Sequence, residues 1–143
     1  MPDAYRILIT GSREWDDYTT VCLEIGNVMK RVMVRCIPYT SSPYPRIVVV
    51  HGAAGGADAL ADQAARAFGM TPELHPADWR PNGKLDRSAG FKRNALMVSL
   101  GADLCLAFYK QGAGNKGTDH CARLAEKAGI PVRRVSDALD HAS

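Results

Sequence analysis

The segment that decides the fold is Ile47-Val48-Val49-Val50-His51-Gly52-Ala53-Ala54-Gly55-Gly56-Ala57-Asp58. Its opening run of β-branched residues is typical of a strand that is covered on both faces of a sheet. The small residues after it predict a tight turn, and a helix follows that ends at Gly69 as its C-cap. One face of this helix is apolar and carries Ala57, Leu60, Ala61, Ala64 and Phe68. Strand, turn and helix together form the repeating unit of a parallel sheet.

The same alternation continues in both directions along the chain. Because strands joined through helices give right-handed parallel crossovers, we predict an α/β fold: a single Rossmann-like, doubly wound, mostly parallel sheet flanked by helices. One domain is expected over residues 1–143, with its core at about 5–135. Strands are predicted over 6–10, 47–50, 71–75, 104–108 and 131–135, helices over 18–33, 57–68, 91–100 and from about 117 to 128, and loops over 38–45 and 76–90.

The composition is that of an ordinary globular protein. Of the 143 residues, 46% are hydrophobic and 23% are charged, which argues against disorder. No apolar run approaches the roughly twenty residues that span a bilayer, and the first residues carry no signal-peptide pattern. The four cysteines form no C-x-x-C pair. We therefore expect a cytoplasmic protein with reduced thiols and no membrane partner.

The net charge and the spacing of the histidines and cysteines limit the kinds of ligand that are expected. Eighteen Lys and Arg against 15 Asp and Glu give a formal charge of only +3, which suits a small anionic ligand better than a long nucleic acid. The histidines and cysteines lack the spacing of metal ligands. We expect neither a metal nor a cofactor.

The predicted fold also indicates where a ligand binds. In such sheets, ligands lie at the carboxyl ends of the strands, near the point where the strand order reverses. The turns that follow predicted strands there are Gly11-Ser12-Arg13 and the ranges 51–58, 76–90 and 109–118.

The turn over 52–58 is a candidate anion site. Gly52, Ala53, Gly55, Gly56 and Ala57 would let backbone N–H groups approach a phosphate at a helix N-terminus. The alternative is that the glycines only allow helix and strand to pack tightly. Asp58 could bond a ribose hydroxyl or could cap the first turn of its helix.

The turn from Gly112 to Thr118 fits G-x-G-x-x-G, with Asp137 about twenty residues later. This fingerprint belongs to a first βα unit, whereas here it lies in the last one. Thr118 also stands where a Walker A loop needs lysine. We therefore interpret the turn as a second anion-binding helix N-terminus, formed by Gly114, Lys116, Gly117 and Thr118.

A basic cluster precedes and enters the third predicted helix: Arg80, Lys84, Arg87, Lys92 and Arg93. Arg93 is the best candidate phosphate ligand, because it is fixed on a helix and can bind two phosphate oxygens at once. Trp79 could stack on a base or could hold the loop against the protein.

Several motifs occur in a fixed order along almost the whole chain. They are Gly11-Ser12-Arg13, His51 to Asp58, Pro76-Ala77-Asp78-Trp79, Arg93-Asn94-Ala95-Leu96-Met97 and Gly117-Thr118-Asp119-His120. With them the chain resembles the SLOG superfamily, and most of all its YspA-like branch of small stand-alone proteins. The resemblance implies a Rossmann-like domain that binds nucleotides or nucleotide-derived ligands, often as a dimer or higher homo-oligomer.

Some members of the superfamily are phosphoribohydrolases, with R-K-x-x-M and P-G-G-x-G-T-x-x-E motifs whose arginine and glutamate are catalytic. Arg93 and Met97 match the first motif, while Asn94 replaces its lysine. The glutamate position falls on Cys121, a predicted core residue that cannot stabilise an oxocarbenium-like state. Asp119 or Asp58 would have to supply the carboxylate.

Three functions follow from these patterns. The favoured one is a receptor or sequestering protein for a nucleotide-derived ligand, with its phosphates at the two glycine turns and with Arg93 and Arg13 as cationic clamps. The alternative is an N-glycosidase that releases the base of a nucleoside monophosphate, with Arg93 and Asp119 as catalytic residues. Binding of single-stranded DNA is disfavoured by the low net charge.

Overall fold

A computed structural model describes residues 4–36 and 46–137, so the loop predicted over 38–45 lies outside the described residues. The chain alternates between strand and helix. The elements are β1 (Tyr5–Gly11), α1 (Tyr18–Cys36), β2 (Ile47–His51), α2 (Ala57–Ala67), β3 (Thr71–Leu74), α3 (Ala89–Ser99), β4 (Leu104–Tyr109), α4 (Lys116–Lys127) and β5 (Val132–Ser136), with a short 3-10 turn at Pro81–Gly83.

All strand pairs are parallel, and the sheet order is β3-β2-β1-β4-β5. Strands β1, β2 and β3 therefore lie in sequence order toward one edge of the sheet. The connection through α3 then returns the chain to the other side of β1, where β4 pairs with it. The strand order reverses between β1 and β4, where Gly11 is opposite Phe108. The predicted α/β class, with a parallel sheet flanked by helices, is confirmed.

The core has two layers because successive residues of a strand face opposite sides of the sheet. Ile7, Ile9 and Phe108 pack under α1 and α2, whereas Leu8 and Cys105 pack under α3 and α4. The two helix pairs thus cover both faces, which explains the unbroken apolar run in β2. Among the described residues, no helix has the length and apolar character needed to cross a bilayer.

The end of α2 differs from the sequence prediction. Phe68 lies just after the helix and is 37% exposed, while Ala65 is fully buried in its place. Gly69 ends this helical region with a positive φ of 75°, as predicted, and the ring of Phe68 lies beside α1, where a Cβ at Gly26 would be 3.8 Å from its Cζ atom. The helix predicted from Phe91 begins earlier, at Ala89.

Candidate functional site

A cleft of about 330 Å³ lies at the carboxyl ends of β1 and β4, where the strand order reverses. Residues from the ends or following turns of β1, β2, β3 and β4 meet there with residues 90–97 of α3 and the first turn of α4. Its lining consists of Ile9, Thr10, Gly11, Ser12, Arg13, Glu14, Ala54, Asp58, Trp79, Arg87, Gly90, Phe91, Arg93, Asn94, Met97, Gly114, Gly117 and Thr118.

Most of the residues proposed from the sequence converge on this cleft, although they come from four separate turns. Gly52, Ala53 and Gly55 instead line a neighbouring hollow, which shares Arg13, Ala54, Trp79 and Arg93 with the cleft. Gly56, Ala57, Lys116 and Asp119 are absent from the lining of both hollows.

The β2–α2 turn is held by the protein's own side chains. Asp58 Oδ2 accepts hydrogen bonds from the backbone N–H groups of Gly52 (3.0 Å) and Ala54 (3.2 Å). His51 Nδ1 accepts one from Ala53 N (3.0 Å), and Ala57 N donates to the carbonyl of Ser12 (3.1 Å). Four amides of the predicted phosphate loop are therefore already bonded within the protein.

Asp58 is the buried charge of the site. Its side chain is 5% exposed, and its Oδ1 atom has no hydrogen-bond partner among the described residues. Burial raises the pKa of this carboxyl, against the opposing effects of His51, the bonded amides and Arg93. An unpaired buried carboxylate oxygen is costly, so it marks a position that a hydrogen-bond donor would stabilise.

Glycines around the site fall into two groups. A Cβ at Gly11 would lie 2.4 Å from Ala57 Cβ, and one at Gly56 would lie 2.3 Å from the Ser12 carbonyl oxygen. These two glycines let β1, its turn and α2 approach closely. A Cβ at Gly114 or Gly117 would meet no described atom within 4 Å, so these two glycines leave the wall of the cleft open.

Arg93 is fixed by backbone carbonyls rather than by a carboxylate. Its Nη1 donates to Gly52 O at 2.5 Å and to His75 O at 3.4 Å, and its Nε donates to Asn94 Oδ1 at 2.9 Å. Because Gly52 has no side chain, the guanidinium can lie directly against its backbone. Burial lowers the pKa of Arg93 from its ordinary value, although Asp58 opposes the shift.

The first turn of α4 lies at the cleft, where Gly117 and Thr118 are part of the lining. Asn115 shapes the preceding turn, because its Oδ1 accepts from Lys110 N (3.1 Å) while its Nδ2 donates to the carbonyls of Lys110 (3.0 Å) and Ala113 (3.2 Å). Thr118, which is 4% exposed, lies at the wall. The N–H groups of a first helical turn have no intrahelical acceptor and attract anions.

An aromatic ring and a cation form the rim. The guanidinium of Arg13 lies 5.7 Å from the ring centroid of Trp79. Trp79 remains 39% exposed, and a Cβ at Gly90 would lie 3.2 Å from its Cη2 atom. The ring therefore rests on the start of α3 and still offers exposed surface at the cleft.

Two other acidic residues proposed from the sequence have structural partners. Asp119 Oδ1 accepts from the hydroxyl of Tyr109 (3.1 Å), and its Oδ2 accepts from Arg123 (2.7 Å). Asp137 accepts from the backbone of Gln111 (2.9 Å) and from Lys110 (2.9 Å). Both carboxylates brace the β4–α4 region.

Cys121 lies in the core, as the sequence predicts, and is fully buried. Burial raises the pKa of its thiol to about 11, although a hydrogen bond with the Thr10 side chain opposes the shift. The thiol therefore stays protonated near neutral pH and does not replace a catalytic carboxylate.

The sequence reasoning missed several lining residues. Arg87 belonged to the recognised basic cluster, and Met97 to a recognised motif, but neither was assigned to the site. These contacts depend on which side of α3 faces the cleft and on where β1 ends. The residues missed are Ile9, Thr10, Glu14, Ala54, Arg87, Gly90, Phe91 and Met97.

Comparison with known proteins agrees with this architecture. The sequence model of the YspA, cpYpsA-related SLOG family matches residues 5–81. The chain is also 47% identical to the Gene 61 protein of Mycobacterium phage D29 over 137 residues, which cover 92% of this chain and 97% of that protein. No solved structure matches the sequence at a significant level.

Proposed function

The chain belongs to the YspA, cpYpsA-related SLOG family, and from this membership we propose that it binds a nucleotide or a nucleotide-derived ligand in the cleft between β1 and β4. The ligand is of the ADP-ribose or NAD-derived type or is a nucleoside monophosphate. In this role the chain acts as one cytoplasmic sensor or sequestering domain.

The observation that carries the proposal is the meeting of a helix N-terminus with three arginines in one cleft. The amides of α4 and the open positions at Gly114 and Gly117 suit a phosphate, which the helix dipole stabilises further. Arg13, Arg87 and Arg93 line the same cleft, against the acids Glu14 and Asp58.

The size of the cleft supports one nucleotide unit. Small-molecule pockets usually enclose about 300–1,000 Å³. At about 330 Å³, this cleft is near the lower end of that range. A mononucleotide, or the AMP half of a larger ligand that extends past the rim, is the best match.

Binding is favoured over hydrolysis by the positions of the carboxylates. Cleavage of an N-glycosidic bond passes through an oxocarbenium-like state that a nearby carboxylate stabilises. Asp119 is bonded to Tyr109 and Arg123, and Cys121 is a buried thiol. The acids that line the cleft are Glu14 and Asp58, so hydrolysis as the alternative function would depend on one of these two carboxylates.

One incubation series tests the proposal. The purified protein is mixed with AMP, NAD, ADP-ribose or cyclic ADP-ribose, and the melting temperature and the release of free base are measured together. A ligand at 100 times its Kd adds about 2.7 kcal/mol of stability, which corresponds to a rise of about 5 °C or more. Stabilisation with intact ligand supports a receptor, whereas catalytic release of base supports the hydrolase.

Two variants locate the site. Arg13→Ala removes a cation from the rim and is expected to weaken binding at least fivefold. Arg31→Ala removes another exposed arginine, from α1 and away from the cleft lining, and should leave affinity unchanged. Binding of none of the four ligands, or equal affinity in both variants, would contradict the proposed site.

We also propose that the protein forms a homodimer or a higher homo-oligomer. Leu96 on α3 and Leu100 at its C-cap, both 50% exposed and one turn apart, support this assembly. Exposed apolar side chains that lie side by side are typical of interfaces.

A further inference from the structure

We infer that Oδ1 of Asp58 accepts a hydrogen bond from a sugar hydroxyl of the ligand, so that the cleft selects ribose over deoxyribose. This inference rests on the proposed nucleotide binding and adds a specificity-determining residue to it. In this inference, Oδ2 of Asp58 bonds the protein backbone and Oδ1 bonds the ligand.

The first oxygen is committed to the β2–α2 turn. Oδ2 accepts from Gly52 N and Ala54 N at 3.0 and 3.2 Å. These bonds hold the carboxylate plane in place and use the amides that a phosphate would otherwise bind. The anionic end of the ligand therefore belongs at the other side of the cleft, at the N-terminus of α4.

The second oxygen is buried and unpaired. Asp58 lines the cleft with 5% of its side chain exposed, and its Oδ1 is the one buried side-chain polar atom without a partner among residues 4–33 and 46–137. A lone buried acceptor is satisfied by a donor, and Asp58 is part of the cleft lining, so a ligand in the cleft is the nearest source of that donor. The ligand must then bring an O–H or N–H group to this point.

The chemistry of the neighbours selects a hydroxyl. A phosphate offers only acceptor oxygens and would repel the carboxylate, whereas a hydroxyl donates a charge-assisted hydrogen bond. The exposed ring of Trp79 suits a stacked base at the rim, and the amides of α4 suit the phosphate. The sugar joins these two parts, so its hydroxyls lie between them, beside Asp58.

The titration of Asp58 agrees with this geometry. Burial raises the pKa of the carboxyl, which means that the charged form of Asp58 is less stable in the folded protein than in water. A carboxylate that destabilises the empty protein is expected where its free oxygen contributes to ligand binding.

The test is calorimetric titration of the wild-type protein and Asp58→Asn with AMP and ADP-ribose, each beside its 2′-deoxy and 3′-deoxy adenosine analogues. The wild type should bind at least one deoxy form about tenfold more weakly than the ribose form. Asp58→Asn should reduce that ratio below about threefold and should melt at or above the wild-type temperature at pH 7. Inosine monophosphate serves as a probe that lacks the amino group of the base.

Asp62→Asn is the matched control. Asp62 lies one turn further along α2, accepts from His51 (2.7 Å) and Arg66 (2.6 Å), and is not part of the cleft lining. It should keep the wild-type preference for ribose. Equal wild-type affinity for ribose and deoxyribose forms, or loss of binding only with inosine monophosphate, overturns the inference about Asp58. Failure of both AMP and ADP-ribose to bind the wild type would contradict the proposed function instead.

Discussion

At the scale of single residues, glycines with the same appearance in the sequence have different roles. Gly56 adopts φ 67° and lies against the backbone of Ser12 and Arg13, so its turn is a packing feature. Gly117 lies in the first turn of α4 beside open space. Tight packing, one of the two alternatives considered for the glycines of the β2–α2 turn, therefore applies at Gly56, whereas Gly117 leaves space for the proposed ligand.

Opposite effects on stability are expected from Gly56→Ala and Gly117→Ala. The first adds a methyl group 2.3 Å from a carbonyl oxygen at a left-handed φ, which should cost about 3 kcal/mol or more. The second places alanine in a helix and should add about 0.5 kcal/mol while narrowing the cleft and weakening nucleotide binding. Urea unfolding and calorimetry measure both quantities. Equal stability of the two variants would refute the distinction.

Among the secondary-structure elements, α3 contributes residues both to the cleft and to the exposed surface. Arg93, Asn94 and Met97 face the cleft, while Leu96 and Leu100 lie one turn apart on an exposed stripe. Leu96 also shares a groove with Leu74 of β3, an edge strand of the sheet. One helix thus positions the phosphate ligand Arg93 of the proposed site and presents apolar surface.

A double substitution tests the proposed oligomer. Leu96→Glu with Leu100→Glu should convert a dimer to a monomer in sedimentation velocity, because two charges would be buried in the interface. Leu23→Glu is the control, since Leu23 is 61% exposed on α1, at the opposite face of the sheet. A wild-type monomer at 100 μM, or dissociation by Leu23→Glu as well, would count against this interface.

For the molecule as a whole, one ion pair connects β1 and β3, which are separated by β2 in the sheet. Arg6 of β1 donates to both carboxylate oxygens of Glu73 of β3, each at 2.9 Å, and also bonds Gly101 O at 2.8 Å. Glu73 additionally bonds His75 at 2.8 Å. The hydrogen bonds from Arg6 are the main cause that lowers the pKa of Glu73 to about 2.

This pair predicts acid sensitivity. Because the pKa of Glu73 falls from 4.5 to about 2 on folding, its stabilisation is complete above pH 4.5 and is lost as the pH falls toward 2. Glu73→Gln should cost about 1 kcal/mol at pH 7, and its loss of stability between pH 5 and 3 should be smaller than that of the wild type. Thermal unfolding across this range measures it.

Glu126→Gln provides the comparison for that prediction. Glu126 pairs with Arg134 at 2.8 Å, but both side chains are 40% or more exposed, so water screens the pair. A smaller effect at pH 7 is expected than for Glu73→Gln. If the two variants behave alike at both ends of the pH range, the connection between β1 and β3 is not a significant source of stability.

Much of the architecture was predictable because local patterns determine it. The β-branched run before Gly52 indicated a doubly covered strand, and the alternation of strands and helices indicated a parallel sheet. The rule for parallel sheets then directed attention to Arg13, Arg93 and Gly117, which line the cleft. Apolar periodicity placed Phe68 on the buried face, but Phe68 is the C-cap residue, where the helical pattern ends and the side chain is 37% exposed.

The fold class and the turns that surround the site follow from the sequence, since strand and helix periodicity are encoded by residues close together in the chain. How each polar group is used became clear from the folded structure. Asp58 bonds the turn with one oxygen and leaves the other unpaired, and Asp119 is held by Tyr109 and Arg123. Hydrogen bonds and burial depend on atoms far apart in the sequence, so no local pattern can specify them.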